Sequence, residues 1–192
     1  MIRIAVVGEI GSGKSFVAKL LGYPVFNADK EVIKLYRKNK KCYKKLQKIL
    51  PKFIFSFPIK KNEISNAIIS GKDNLKKIAK VVHPEVHLSM INFIKKNKEK
   101  KFIVLDIPLL IENKINKKSD ILIFVEAPKK EIRKRLKKRP GINLKIINRF
   151  KKIQLPLEIK KNKSNFIVKN NFNSNSLKKN VKVVMKEILL NA

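Results

Sequence analysis

The chain has 192 residues, enough to bury a core, and 44% of them are hydrophobic, which excludes wholesale disorder. No apolar stretch approaches the roughly 18 residues of a membrane span, the start lacks a signal-peptide pattern, and a single cysteine excludes an internal disulfide, so we expect a cytoplasmic protein without a membrane partner. The net charge of +33 favours anionic substrates.

Short apolar segments typical of buried parallel strands alternate with helical patterns along the chain. The predicted strands are Ile2–Val7, Pro24–Phe26, Phe102–Ile107, Ile121–Val125 and Phe166–Val168. The predicted helices are Lys14–Leu21, Glu31–Tyr36, Leu75–Ile94, Lys129–Lys138, Leu144–Ile153 and Leu177–Leu190. This alternation predicts an α/β fold of three layers, with a central parallel sheet of about five strands and ligands at their carboxyl ends.

The segment Gly8–Ser15 follows the first strand and has the GxxxxGKS spacing of a phosphate-binding loop. Its glycines let consecutive backbone N–H groups converge on phosphate oxygens, and the next helix adds its positive end. We expect Lys14 to reach the β- and γ-phosphates and Ser15 to bind Mg²⁺. The segment predicts a nucleoside triphosphate site, with contacts from Gly8, Glu9, Ile10, Gly11, Ser12, Gly13, Lys14, Ser15 and Phe16.

Three acidic residues lie at or after the ends of predicted strands, and two of them, Asp29 and Glu112, have two interpretations each. Asp29 either accepts a proton from an attacking hydroxyl or caps the helix after it. Asp106 ends an apolar strand, where a carboxylate reaches the Mg²⁺ shell of a phosphate-binding fold. Glu112 either touches a substrate or pairs with one of the many lysines.

Arginine is rare here, with six among the 47 basic residues, yet Arg133, Arg135 and Arg139 fall within seven positions. Their guanidinium groups match phosphate oxygens, so the cluster favours a phosphate site. A solvated basic helix end is the alternative. His83 stands before Pro84, which predicts a kink or a helix start, and without further context His83 is structural.

Taken in order, these motifs resemble the dephospho-CoA kinase family. The matching segments are Gly8–Ser15, Asn27–Asp29, His83-Pro84, Pro108–Glu112, Arg135, Arg139, Gln154 and Phe166–Asn171. The resemblance implies a P-loop NTPase fold and transfer of the ATP γ-phosphoryl group to the ribose 3′-hydroxyl of dephospho-CoA, with Mg²⁺. Dephospho-CoA and ATP are then the small-molecule partners.

The resemblance also assigns roles to residues and divides the chain into three regions. It implies that Asp29 is the general base and that Lys14 and Arg139 neutralise charge on the transferred group. It adds Arg135 and Asn171 to the nucleotide contacts. The substrate contacts that it implies are Asp29, His83, Pro108, Leu109 and Glu112, and the metal contacts are Ser15 and Asp106. The regions are a nucleotide-binding core (1–31, 101–138 and 164–192), a helical coenzyme A-binding insertion (32–100) and a lid (139–163).

The chain departs from the family pattern at several positions. Asn27 and Asn165 replace aspartates, Glu9 and Phe172 replace glycines, and Ser65-Asn66 stands where the insertion usually has an arginine. We expect these changes to affect turnover and substrate contacts more than the reaction class.

Two other functions compete with this interpretation. One is a P-loop kinase of nucleosides or nucleoside monophosphates, which has no reason to carry the His-Pro and Pro-Leu-Leu-Ile-Glu segments. The other is an ATP-dependent nucleic-acid-binding protein that uses the basic surface. Because the lysines are spread along the whole chain, we expect no dedicated nucleic-acid partner. We expect a monomer or a weak homo-oligomer.

Overall fold

A computed structural model describes residues 1–138 and 143–191. Its sheet has five parallel strands in the order β2-β3-β1-β4-β5, so β1 lies at the centre between β3 and β4. The strands are β1 (Ile2–Gly8), β2 (Val25–Asn27), β3 (Phe102–Asp106), β4 (Ile121–Glu126) and β5 (Phe166–Lys169). The predicted five-stranded parallel sheet is thereby confirmed.

The six predicted helices are present, several with different ends, and three that were not predicted (Lys40–Ile49, Lys61–Ser70 and Leu157–Asn162) bring the helices of the described residues to nine. They are α1 (Lys14–Leu20), α2 (Ala28–Lys38), α3 (Lys40–Ile49), α4 (Lys61–Ser70), α5 (Asn74–Lys96), α6 (Lys129–Lys138), α7 (Leu144–Ile153), α8 (Leu157–Asn162) and α9 (Ser174–Leu190). Pro84 lies inside α5, so the alternative in which His83-Pro84 begins a helix is wrong. Within 1–138 and 143–191, no helix is long and apolar enough to cross a membrane.

The chain folds into two compact units. The first takes in Met1–Asn27, Asn97–Asn143 and Ile147–Ala192, as far as these ranges are described. One part of its core lies between one face of the sheet and the helices α1 and α9. Residues that alternate along β1, such as Ile4 and Val6, pack there against Val17 of α1 and Leu177 of α9. This alternation follows from the two-residue repeat of a strand.

The second unit comprises Ala28–Lys96 and Leu144–Ile146 and is helical. Its core joins α3, α4 and α5 through side chains spaced three or four residues apart, such as Cys42 and Leu46. Glu63 of α4 is 2% exposed, and its carboxylate accepts hydrogen bonds from the backbone N–H groups of Phe55 and Ser56 and from the Ser56 hydroxyl. Glu63 therefore holds the connection before α4 against that helix.

Candidate active site

The segment Gly8–Ser15 lies between the central strand β1 and the first turn of α1, as the sequence predicts. Gly8 has φ 143°, and a Cβ there would lie 2.7 Å from the carbonyl oxygen of Val125. Gly13 has φ 95°, and a Cβ there would collide with the amide nitrogen of Asn170. Both positions need glycine because of backbone conformation and close packing. The two glycines therefore let the backbone of the loop pass close to Val125 and Asn170.

The loop also contains a buried hydroxyl without a partner. Ser12 is 0% exposed, and within the described parts of the chain its Oγ is one of two buried side-chain polar atoms that form no hydrogen bond. Leaving such a group unpaired costs about 1–3 kcal/mol, so we expect water, an ion or a ligand to satisfy it. Lys14 folds back over the loop, and its Nζ donates to the carbonyl oxygen of Glu9 at 2.8 Å. The orphaned hydroxyl and the adjacent cation fit a bound phosphate.

Asp106 ends β3, the neighbour of β1 in the sheet, and is 3% exposed. Its partner is Asn27, the last residue of β2, whose amide nitrogen donates to Asp106 Oδ2. Ser15 is exposed in the first turn of α1. A carboxylate and a hydroxyl are hard oxygen donors of the kind that Mg²⁺ prefers, so the residues at this edge of the sheet fit that ion. In the described chain no cluster of three His, Cys, Asp or Glu residues could hold a metal by itself.

Asp29 and His83 both belong to the helical unit. Asp29 is exposed and is the second residue of α2, directly after the end of β2. Because α2 begins at Ala28, the helix-cap interpretation of Asp29 is wrong: its carboxylate lies in the first turn of the helix. His83 is exposed on α5, but desolvation by neighbouring atoms still lowers the pKa of its imidazole. His83 is therefore mostly neutral at pH 7.

Glu112 forms a buried ion pair. Its Oε1 lies 2.6 Å from the Nζ of Lys160, and the two side chains are 9% and 2% exposed. The same oxygen accepts the backbone N–H of Leu155 at 3.0 Å. Pro108 and Leu109, in the same motif, are half-buried. Glu112 thus connects the segment after β3 to α8. The predicted pairing with a lysine is present, and it does not exclude a contact between Glu112 and a substrate.

Arg135 and the turn after β5 meet at the far side of the loop. The guanidinium carbon of Arg135 lies 4.5 Å from the centre of the Phe172 ring. Phe172 has φ 64°, a left-handed conformation that explains why glycine is usual at this position. Its N–H donates to Asn170, and the Asn170 amide donates to the carbonyl oxygen of Ser12 at 2.8 Å. Asn171, the predicted nucleotide contact, is exposed.

Three residues at the site were not identified from the sequence. Asn170 is 2% exposed beneath the loop, and its position directly after an apolar strand was a usable signal. Lys160 pairs with Glu112, and Lys151 pairs with Glu9. Neither lysine can be told apart from the many others in the sequence by its neighbours. Arg139, predicted to be catalytic, lies outside the described residues.

The chain is similar to proteins of one family in sequence and in fold. The family model for CoaE, dephospho-CoA kinase, matches residues 2–176. A dephospho-CoA kinase of Wolbachia pipientis wMel is 32% identical, over 98% of each chain. The crystal structure of TT1252 from Thermus thermophilus matches with a TM-score of 0.77 at 29% identity, over 97% of each chain. A dephospho-CoA kinase from Campylobacter jejuni shares the fold, with a TM-score of 0.62 at 23% identity over 98% of each chain. This chain belongs to the dephospho-CoA kinase family.

Proposed function

We propose that this chain is an active dephospho-CoA kinase, which transfers the γ-phosphoryl group of ATP to the ribose 3′-hydroxyl of dephospho-CoA and releases ADP and coenzyme A. The observation that carries the proposal is the loop Gly8–Ser15 at the end of β1, next to the buried Asp106 at the end of β3. Parallel neighbours end at the same edge of a sheet, where ligands of such folds bind. Membership of the family supports dephospho-CoA as the acceptor.

In this mechanism Asp29 takes the proton of the attacking hydroxyl. The hydroxyl oxygen forms the new bond to the γ-phosphorus as the bond to the ADP oxygen breaks, and the proton passes to the carboxylate. Lys14 and Arg139 offset the negative charge of the transferred group. Arg135 and Asn171 contact the nucleotide. The exposed position of Asp29 at the start of α2 is compatible with contact to a bound substrate.

Ser15 and Asp106 are the residues that would hold Mg²⁺. The ion would supply positive charge to the phosphate oxygens. Asn27 orients Asp106 by donating its amide hydrogen to one carboxylate oxygen.

The insertion and the lid complete the proposal. The insertion 32–100 binds the coenzyme A moiety with His83, and Pro108, Leu109 and Glu112 also contact the substrate. The lid 139–163 closes over the phosphates. We place the enzyme in the cytoplasm, as a monomer or weak homo-oligomer without a nucleic-acid or membrane partner.

The direct test incubates the purified chain with Mg²⁺ and ATP and offers dephospho-CoA, adenosine and AMP as separate acceptors. We expect mass spectrometry to detect coenzyme A when dephospho-CoA is the acceptor. Adenosine and AMP should be phosphorylated much more slowly. Preferential phosphorylation of adenosine or AMP would replace the proposal with a nucleoside or nucleotide kinase. Tight, salt-sensitive binding of a random oligonucleotide with no phosphoryl transfer would favour the nucleic-acid alternative.

The role of Asp29 has its own test. Asp29→Asn keeps the size of the side chain and removes the base, so kcat should fall by about a hundredfold or more with little change in the Kd of ATP. Asp73→Asn is the matched control, because Asp73 is an exposed aspartate in the same helical unit. Equal kcat values for Asp29→Asn and the control would remove Asp29 from the mechanism.

A further inference from the structure

The phosphate loop of this chain contains a negative charge. Glu9 follows Gly8 directly, and its side chain is 17% exposed. The backbone tolerates it, because among the described non-glycine residues only Lys114 and Phe172 have positive φ. A carboxylate at this place nevertheless repels the triphosphate that the loop is proposed to bind. The chain therefore needs a way to offset this repulsion.

The loop's own lysine is held by the backbone of Glu9. Lys14 Nζ donates to the carbonyl oxygen of Glu9 at 2.8 Å, and the N–H of Ser12 donates to the same oxygen at 3.1 Å. These bonds fix the loop around the backbone of Glu9. The charged end of the Glu9 side chain has a partner from outside the loop.

That partner is Lys151 of α7. Its Nζ lies 2.7 Å from Glu9 Oε1, and the two residues are 142 positions apart in the chain. The Lys151 side chain is 40% exposed, so solvent weakens the pair but does not remove it. With 47 basic and 14 acidic residues, a lysine near an acid is common in this chain. What distinguishes this pair is that its acid lies inside the phosphate loop.

We propose that Lys151 is a positioning residue for ATP, which acts by neutralising Glu9 so that the loop can accept a triphosphate. The inference rests on the proposed function, since it requires ATP in the loop. Lys151 acts through Glu9 and needs no contact with the phosphates. This separates it from a cation that binds the nucleotide itself.

The test is a double-mutant cycle with substitutions that keep side-chain size. The Kd of ATP is measured by calorimetry for the wild type, Glu9→Gln, Lys151→Met and the double variant, and kcat and the KM of ATP are measured with dephospho-CoA. We expect Lys151→Met alone to raise Kd and KM about tenfold with kcat nearly unchanged. The double variant should return to within about threefold of the wild type, because the repelling charge is also gone. Lys152→Met, an exposed neighbour on α7, is the control and should leave Kd unchanged.

Other outcomes overturn the inference in recognisable ways. An equal penalty for Lys151→Met in the wild type and in the Glu9→Gln variant would mean that Lys151 binds the phosphates directly. Tighter ATP binding by Lys151→Met would mean that the ion pair obstructs the loop. A wild-type chain that binds ATP and makes coenzyme A, but shows no coupling in the cycle, refutes this inference alone. A wild-type chain that binds no ATP overturns both this inference and the proposed function.

Discussion

Replacing Lys160 tests whether Glu112 is held by a buried charge. In Lys160→Met the Glu112 carboxylate stays buried and keeps the backbone N–H of Leu155, but it loses the ammonium group at 2.6 Å. Lys160 is 1% exposed, so water cannot take the place of the lost cation without rearrangement. Breaking one side of such a pair costs about 3–5 kcal/mol. For a chain of this length that corresponds to a fall in Tm of about 6–20 °C.

The assay is thermal unfolding with and without ligands, and the chain supplies its own control. Lys161 is the next residue and pairs with Glu126 at 2.8 Å, but the two side chains are 34% and 38% exposed. Lys161→Met should therefore leave Tm close to the wild type, because exposed pairs contribute little. Glu112→Leu combined with Lys160→Met removes both charges and should recover most of the lost stability.

Two results would refute the reasoning. If Lys160→Met unfolds at the wild-type temperature, the pair is not buried in solution. If Glu112→Gln leaves Tm unchanged but raises the KM of dephospho-CoA severalfold, Glu112 serves mainly as a substrate contact. A loss of stability with an unchanged KM, measured well below Tm, would assign Glu112 to the fold.

Three further predictions concern other parts of the chain. Phe172→Gly should be more stable than Phe172→Ala by about 1 kcal/mol in denaturant unfolding. Both variants lose the ring, but only glycine adopts the left-handed conformation at φ 64° without steric strain. Equal stabilities of the two variants would argue against a left-handed conformation at residue 172. Burial by itself raises the pKa of Glu63, but hydrogen bonds from the Ser56 hydroxyl and from backbone N–H groups outweigh it and lower the pKa below its usual range. The stability that Glu63 contributes is therefore present above the unfolded-state pKa of about 4.3 and is lost as pH falls through the folded-state value. The difference in unfolding free energy between the wild type and Glu63→Gln should narrow below about pH 4.5. A difference that stays constant with pH would contradict this prediction. Asn27→Asp replaces the amide that donates to Asp106 with a second carboxylate, so it should lower Tm in the absence of Mg²⁺. The decrease in Tm relative to the wild type should be smaller when Mg²⁺ is added. A decrease that does not depend on Mg²⁺ would argue against a cation at this edge of the sheet.

The sheet was predictable from the sequence because its signals are local. A buried parallel strand is a short apolar run, and all five observed strands coincide with such runs. The loop Gly8–Ser15 was predictable for the same reason, since each fixed residue type answers a local demand of the backbone or of phosphate. Helix ends were less predictable. Ala28 and Ser174 begin α2 and α9 three residues before the predicted starts, since polar first turns interrupt the apolar pattern.

Ion pairing and burial were not predictable, because they depend on contacts between distant segments. Lys160 looks like any other lysine in the sequence, yet it is nearly inaccessible to solvent because α8 packs on the inner part of the sheet next to Glu112. Asn170 and Asn171 are adjacent and identical in type, yet Asn170 is buried beneath the loop and Asn171 is exposed. Residue types therefore predict a chemistry for the site, but they do not predict the contacts that support it.

Four departures from the family pattern share a physical feature: each has a partner elsewhere in the structure. Asn27 donates to Asp106, and Asn165 uses its side-chain oxygen to accept the N–H of Leu122 at 2.8 Å, which a carboxylate could also do.

Phe172 and Glu9 follow the same rule. Phe172 has a left-handed backbone conformation, and its ring contacts the Arg135 guanidinium. Glu9 adds a negative charge to the loop and forms an ion pair with Lys151. A substitution at any of these positions therefore changes two residues' surroundings at once. Restoring glycine at position 9 alone would leave Lys151 without its carboxylate, so its effect on ATP binding depends on what Lys151 then contacts. The consequence of each departure has to be judged on the pair and not on the motif alone.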